Sequence, residues 1–159
     1  MTAPDKLIQL YERTHWIIIQ QTDGLTHKES LLQLPFRANC LNWVLGHIIV
    51  YRDRALDVLG ERSLLTEIES EIYEQGGEPV VDGAQAVKLE RLLSVLDQQQ
   101  ERLVTALKDI DSGRLAEIGD EEPQRTVGDR VEFLQWHETY HVGQLEILRQ
   151  LAGKDDAII

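Results

Sequence analysis

Cysteine occurs once, at Cys40, so no intrachain disulfide can form and nothing points to an oxidising compartment. Proline occurs only four times, too rarely to keep interrupting helices. No run reaches the ~20 apolar residues that a membrane-spanning helix needs, because His, Arg or Gln breaks each one early. Positive charge is scarce as well: 16 Lys and Arg stand against 28 Asp and Glu, for a formal net charge of −12. Phosphate backbones and anionic membrane surfaces both demand a basic patch, so nucleic acid and membrane are set aside as partners. The opening residues, Met1 to Lys6, have no basic stretch leading into an apolar core. They do not read as a signal peptide, and the cytoplasm is the expected compartment.

The 159 residues, 42% of them hydrophobic, suffice for one domain with a real core. Apolar residues recur at three- and four-residue spacing in four stretches and alternate in none. The first predicted helix runs from Asp5 to Gln21, with Leu7, Leu10, Tyr11, Ile17 and Ile18 on one face. The second runs from Asn39 to Leu59 and stops at Gly60; from Leu41 to Tyr51 it is apolar almost all round, so several sides of it are buried. The third runs from Gly83 to Ile110, with Asp82 as its N-cap, and carries no histidine. The fourth starts at Thr126, where Asp129 completes a capping box, and ends near Ala152 before Gly153. Long connections separate them, with short helical turns expected around 28–33 and 66–74 and an acidic loop over 111–125. Four amphipathic helices without strands predict an all-α four-helix bundle spanning 1–159.

The chemistry sits in Trp136-His137-Glu138-Thr139-Tyr140-His141-Val142-Gly143-Gln144-Leu145. On a helix turning 100° per residue, His137 and His141 fall about 40° apart, near Leu134, Leu145 and Leu148, with Gln135 and Thr139 opposite. Imidazoles in an apolar stripe need a partner, and a pair at i and i+4 can bind one divalent cation. A catalytic zinc site commonly has three protein ligands and leaves a place for water. His47, at mid-helix in the second stretch, can supply the third. One divalent ion is therefore expected, zinc first, nickel or another transition metal next. It would activate water or hold a substrate thiol as thiolate.

Several residues surround this reading. Gln144 and Tyr51 share the histidine faces and are candidates to support the ligands, and Arg54 is a candidate to receive an anionic substrate group. Glu138, at the edge of the stripe, fits equally a general base, an acceptor behind the ligands or surface charge. The His-Glu-x-x-His spelling alone does not make a zinc protease, since no strand stands beside it and no further ligand motif follows. Cys40 reads as a small buried residue rather than a ligand. The alternative from another class is a bundle in which histidines or a metal serve the fold or an interaction, without catalysis.

Asn42-Trp43-Val44-Leu45-Gly46-His47-Ile48, the histidine segment just quoted and Leu148-Arg149-Gln150-Leu151-Ala152-Gly153 together resemble the DinB/YfiT-like family. The resemblance implies an up-down-down-up bundle with a divalent metal, zinc or nickel-like, on three histidines that map to His47, His137 and His141. It also implies a homodimer. Relatives of that kind include transferases and isomerases that use low-molecular-weight thiols, so the implied partner is a small molecule of the class to which such thiols belong.

Overall fold

The computed structural model describes residues 4–118, 125–156 and 158. Four long helices carry the chain: α1 (Pro4–Thr22), α3 (Leu41–Val58), α5 (Leu89–Asp109) and α7 (Val127–Leu151). Three short ones, α2 (His27–Ser30), α4 (Glu67–Ile72) and α6 (Ser112–Ala116), lie in the connections. Among the described residues there is no strand, only an isolated bridge between Ile118 and Thr126. No helix is long and apolar enough to cross a membrane.

The helices form a closed square in which α7 packs on α1 and α3, and α5 packs on the same two. Hydrogen bonds show how they run. Tyr11 meets Val131, Thr14 meets Glu138 and Arg149 meets Gln21, so α1 and α7 rise together. Asn42 meets Val87, and Gln99 meets Ile49 and Asp53, so α3 and α5 rise together. His47 lies nearer His141 than His137 while Tyr51 lies on His137, so α3 and α7 run in opposite directions.

Helices α1, α3 and α5 bury what their patterns promise. On α1, Leu7, Tyr11, Thr14, Ile18 and Gln21 point inward at heptad-like spacing. On α3 every residue from Leu41 to Val58 is buried except Arg54 and Asp57. The capping box at the head of α7 is present: Thr126 Oγ1 accepts from Asp129 N–H at 3.1 Å, and Thr126 N–H donates to the Asp129 carboxylate at 3.2 Å.

Two expectations need correction. The third long helix begins at Leu89, six residues after Gly83, and Asp82 is not its cap. Asp82 Oδ1 instead accepts from Ala84 and Gln85 N–H in a turn, while Val87 N–H is taken by the Tyr73 hydroxyl and Leu89 N–H by His27 Nδ1. Tertiary acceptors thus take the donors that would have started the helix earlier.

The inward stripe of α7 is also rotated from its expected position. Val131, Gln135, Glu138, Val142, Leu145 and Arg149 form the buried stripe, with Leu148 buried beside it, whereas His137 and His141 flank it, partly open. Gln135, Glu138 and Arg149 in that stripe are polar, and the exposed Trp136, Tyr140 and Ile147 are apolar. An apolar count therefore pulls the apparent stripe toward the wrong flank.

Candidate metal centre

His47, from α3, and His137 and His141, from α7, converge. Each offers one ligand nitrogen, and the three atoms lie within 4.8 Å of one another. His137 Nε2 and His141 Nε2 are 3.2 Å apart. Nitrogens 2.0–2.1 Å from a tetrahedral ion stand about 3.3 Å from each other, so the α7 pair is already at ligand spacing.

The tautomers of two rings follow from their partners. His47 Nδ1 donates to the Tyr73 carbonyl at 2.7 Å, since a carbonyl can only accept. His141 Nδ1 donates likewise to Gln144 Oε1 at 2.7 Å. Both rings therefore present an unprotonated Nε2, the form a metal requires. His137 is held by stacking: the Tyr51 ring lies 3.8 Å from it, centroid to centroid, at 17°. Its Nδ1 is buried without a partner.

Burial keeps all three imidazoles neutral. It depresses the pKa of His47 and of His141, and carries His137 down to about 4, helped by His141, His47 and Arg54. A metal site needs deprotonated imidazoles, so no proton has to be displaced near neutral pH.

The Gly46-His47 pair has a steric logic. A Cβ on Gly46 would stand 2.4 Å from the Tyr73 ring, so only glycine admits that ring against α3. Tyr73 is fully buried, and its hydroxyl donates to Asn42 Oδ1 at 2.8 Å while accepting from Val87 N–H at 2.9 Å. Its carbonyl is thereby fixed where His47 donates. Sequence reasoning left Tyr73 inside a linker; a glycine in an otherwise apolar helix signals close approach, but not of what.

Along α3, Trp43 stacks on His47 at 4.8 Å and 14°, Tyr51 lies against its other side, and the Arg54 guanidinium sits 4.4 Å from the Tyr51 ring centroid. Gln144, Tyr51 and Arg54 all line a cavity of about 1080 Å³ that opens over the three histidines. Trp43, Trp136 and Tyr140 line it too.

Glu138 does not join them. It is absent from the cavity lining and lies instead in a buried ion pair, its two oxygens each 2.7 Å from Arg52 Nε and Nη2. Thr14 donates a further hydrogen bond to the same carboxylate. Arg52 also donates to Gln100 Oε1 at 3.1 Å, so this layer ties α1, α3, α5 and α7 together. One residue after His137, the helix has turned about 100°, away from the cavity. Cys40 is buried, with its Sγ 3.5 Å from the Val80 carbonyl, outside the histidine group.

A profile of the DinB superfamily matches residues 12–145, which include all three histidines. The chain belongs to the DinB superfamily. The same fold is found in the crystal structure of a conserved protein from Enterococcus faecalis, with a TM-score of 0.73 and 17% identity over 97% of this chain and 99% of that one. At that identity the likeness speaks for the fold alone. No curated protein matches the chain. In this DinB bundle the three-histidine group could hold a metal ion.

Proposed function

We propose that the chain is a metal-dependent enzyme whose divalent ion, zinc first and nickel or another transition metal next, is held by His47, His137 and His141. When bound, the ion would supply Lewis acidity and lower the pKa of a coordinated water or substrate thiol, the chemistry of a hydrolase or a thiol transferase. The observation that carries the reading is the placement of three convergent imidazoles, two of them with the tautomer a metal needs, at the wall of an open cavity of about 1080 Å³. A purely structural ion is normally enclosed by four protein ligands, and among the described residues no fourth His, Cys, Asp or Glu joins this group.

The chain's own residues have assignable tasks. The Tyr73 carbonyl and Gln144 hold the Nδ1 protons of His47 and His141, which keeps both Nε2 atoms available. Tyr51 fixes the plane of His137. Aromatic walls from Trp43, Trp136 and Tyr140 exclude water from part of the cavity. Glu138, committed to Arg52, is assigned to the architecture rather than to proton transfer.

A homodimer in the cytoplasm completes the proposal. Phe133, Trp136, Tyr140 and Ile147 line the cavity and are also exposed, so a second subunit packed on α7 would cover the cavity's outer wall, and the single buried cysteine suits a reducing compartment.

Elemental analysis of the purified protein beside a His137→Ala/His141→Ala variant tests the centre. About one divalent ion per chain, lost in a variant that still folds, is the expected result. A variant that unfolds on losing its ion favours the non-catalytic alternative. A wild type that stays metal-free after incubation with zinc, nickel and manganese removes the metal reading.

A further inference from the structure

The cavity runs against the charge of the chain around it. Acidic residues outnumber basic ones by 28 to 16 overall, yet among the described residues the cavity is lined by Arg54, Arg125 and Arg130 and by one carboxylate, Asp57. Two of the arginines are placed by the antiparallel run of α3 and α7. Arg54 lies seven residues beyond His47, and Arg130 seven residues before His137. Each therefore stands two helical turns, about 10 Å, from the histidine on its own helix, and both displacements point the same way. Between the histidines and this basic end the lining is Tyr51, Phe133 and Leu134, and Asp57 and Val58 lie at the basic end itself. Glu74 engages Arg54 through Nη2 and the Tyr51 ring supports its face, so the guanidinium is held at the wall with donors to spare. Arg125 sits over the Phe133 ring at 4.9 Å.

From this geometry we infer the substrate class: a molecule with an anionic oxygen group, carboxylate or phosphate, received by Arg54 and Arg130. An apolar segment of about 10 Å joins that group to the atom that meets the ion. The inference rests on the reading of the histidines as a metal centre, and the two fail in different ways. Net negative charge elsewhere on the chain repels such a molecule, so the arginine end gives it orientation as well as affinity.

The test uses full-length protein loaded with cobalt, whose own visible spectrum reports the metal before any ligand is added. Three thiols are then titrated and the thiolate-to-cobalt absorption is followed: 8-mercaptooctanoate, 8-mercaptooctanol and 3-mercaptopropionate. The long acid should bind about tenfold more tightly than the long alcohol, as a charge-assisted contact to Arg would give. That advantage should vanish in an Arg54→Gln/Arg130→Gln variant, and 3-mercaptopropionate, too short to reach, should bind both proteins alike. On the wild type alone, the advantage should shrink as salt is raised, which keeps the test decisive if the variant folds poorly. Equal binding of acid and alcohol overturns the inference and leaves the metal centre standing, as does an advantage that survives the double substitution. A protein with no cobalt spectrum overturns the metal reading and this inference with it.

Discussion

The two sides of α7 treat buried polarity in opposite ways. Toward α1 and α3, Glu138 enters the core as a carboxylate, 1% exposed, against an Arg52 side chain that is 0% exposed. Arg52 and Thr14 engage both of its oxygens, and Arg52 reaches on to Gln100. Toward the cavity, His137 and His141 meet mainly each other, His47 and aromatic rings, and one nitrogen has no partner. A carboxylate whose oxygens are both met by its own fold is architecture. Imidazole nitrogens that converge beside an open volume are where a ligand belongs. A single step along the helix separates the two regimes.

Breaking the architectural side should have the largest effect. Glu138→Ala leaves the Arg52 guanidinium buried without its counter-charge, a loss of about 3–5 kcal/mol. For a chain of this size that is a fall in Tm of roughly 10 °C. Urea unfolding measures it, and an Arg52→Met/Glu138→Leu pair should regain most of the loss, because apolar replacement of a whole buried pair is often close to neutral. A Glu138→Ala protein within about 1 kcal/mol of wild type would show that the pair does not brace the bundle.

Gly46→Ala probes the place where architecture and site meet. The added methyl drives into the Tyr73 ring, and overpacking of this kind costs about 1–3 kcal/mol, part of it offset by the better helix propensity of alanine. Because Tyr73 also holds the His47 proton, metal affinity should fall with stability. Calorimetric metal titration beside denaturation checks both; affinity that stays unchanged while stability drops would detach Tyr73 from the site.

These two residues mark the limit of what one sequence discloses. The helices and the capping box at Thr126 follow from period and spacing, which are local properties, whereas the convergence of His47 with the α7 pair is an implication of the family resemblance. The Arg52–Glu138 pair joins positions 86 residues apart. In the sequence each looks like any charged residue on a helix, and the two short helices before α5 hide that Tyr73 is fully buried. The orientation of α7 failed for a related reason: a helix with two packed neighbours can bury Gln135, Glu138 and Arg149 through specific bonds, and no hydropathy count detects a bond. Gly46 and Gln144 stood in the motif; Gln144 serves a ring nitrogen three residues away on its own helix, whereas the task of Gly46 depends on a Tyr73 ring brought in by tertiary structure.

On the site side the effects should be smaller for the fold and specific for the metal. Gln144→Ala removes the acceptor of the His141 Nδ1 proton, so metal affinity should drop about 10–100-fold while stability changes little. Competition with a chelator reads this out; a variant that keeps wild-type affinity would mean that the ring is oriented by packing alone. Acid should separate the two sides further in metal-free protein. The histidines are folded with lowered pKa values, so between about 6.5 and the value near 4 for His137 the unfolded chain binds more protons than the folded one. The stability they contribute is whole above that window and is lost as pH falls through it. Denaturation midpoints that stay flat from neutrality down to pH 4 would contradict this.

The smallest expected change comes from the other glycine of the motif. An added Cβ on Gly143 meets nothing within 4 Å, unlike the one on Gly46. In a mid-helix position with open space around it, Gly143→Ala should raise stability by about 0.5–1 kcal/mol through helix propensity alone. The position lies on the same helix as the exposed Trp136, Tyr140 and Ile147, so the sign of the change also reports on what covers that face in solution. A gain that is independent of protein concentration means that Gly143 faces solvent. A loss that grows as the protein is concentrated means that a second subunit packs there, close enough for one methyl to matter.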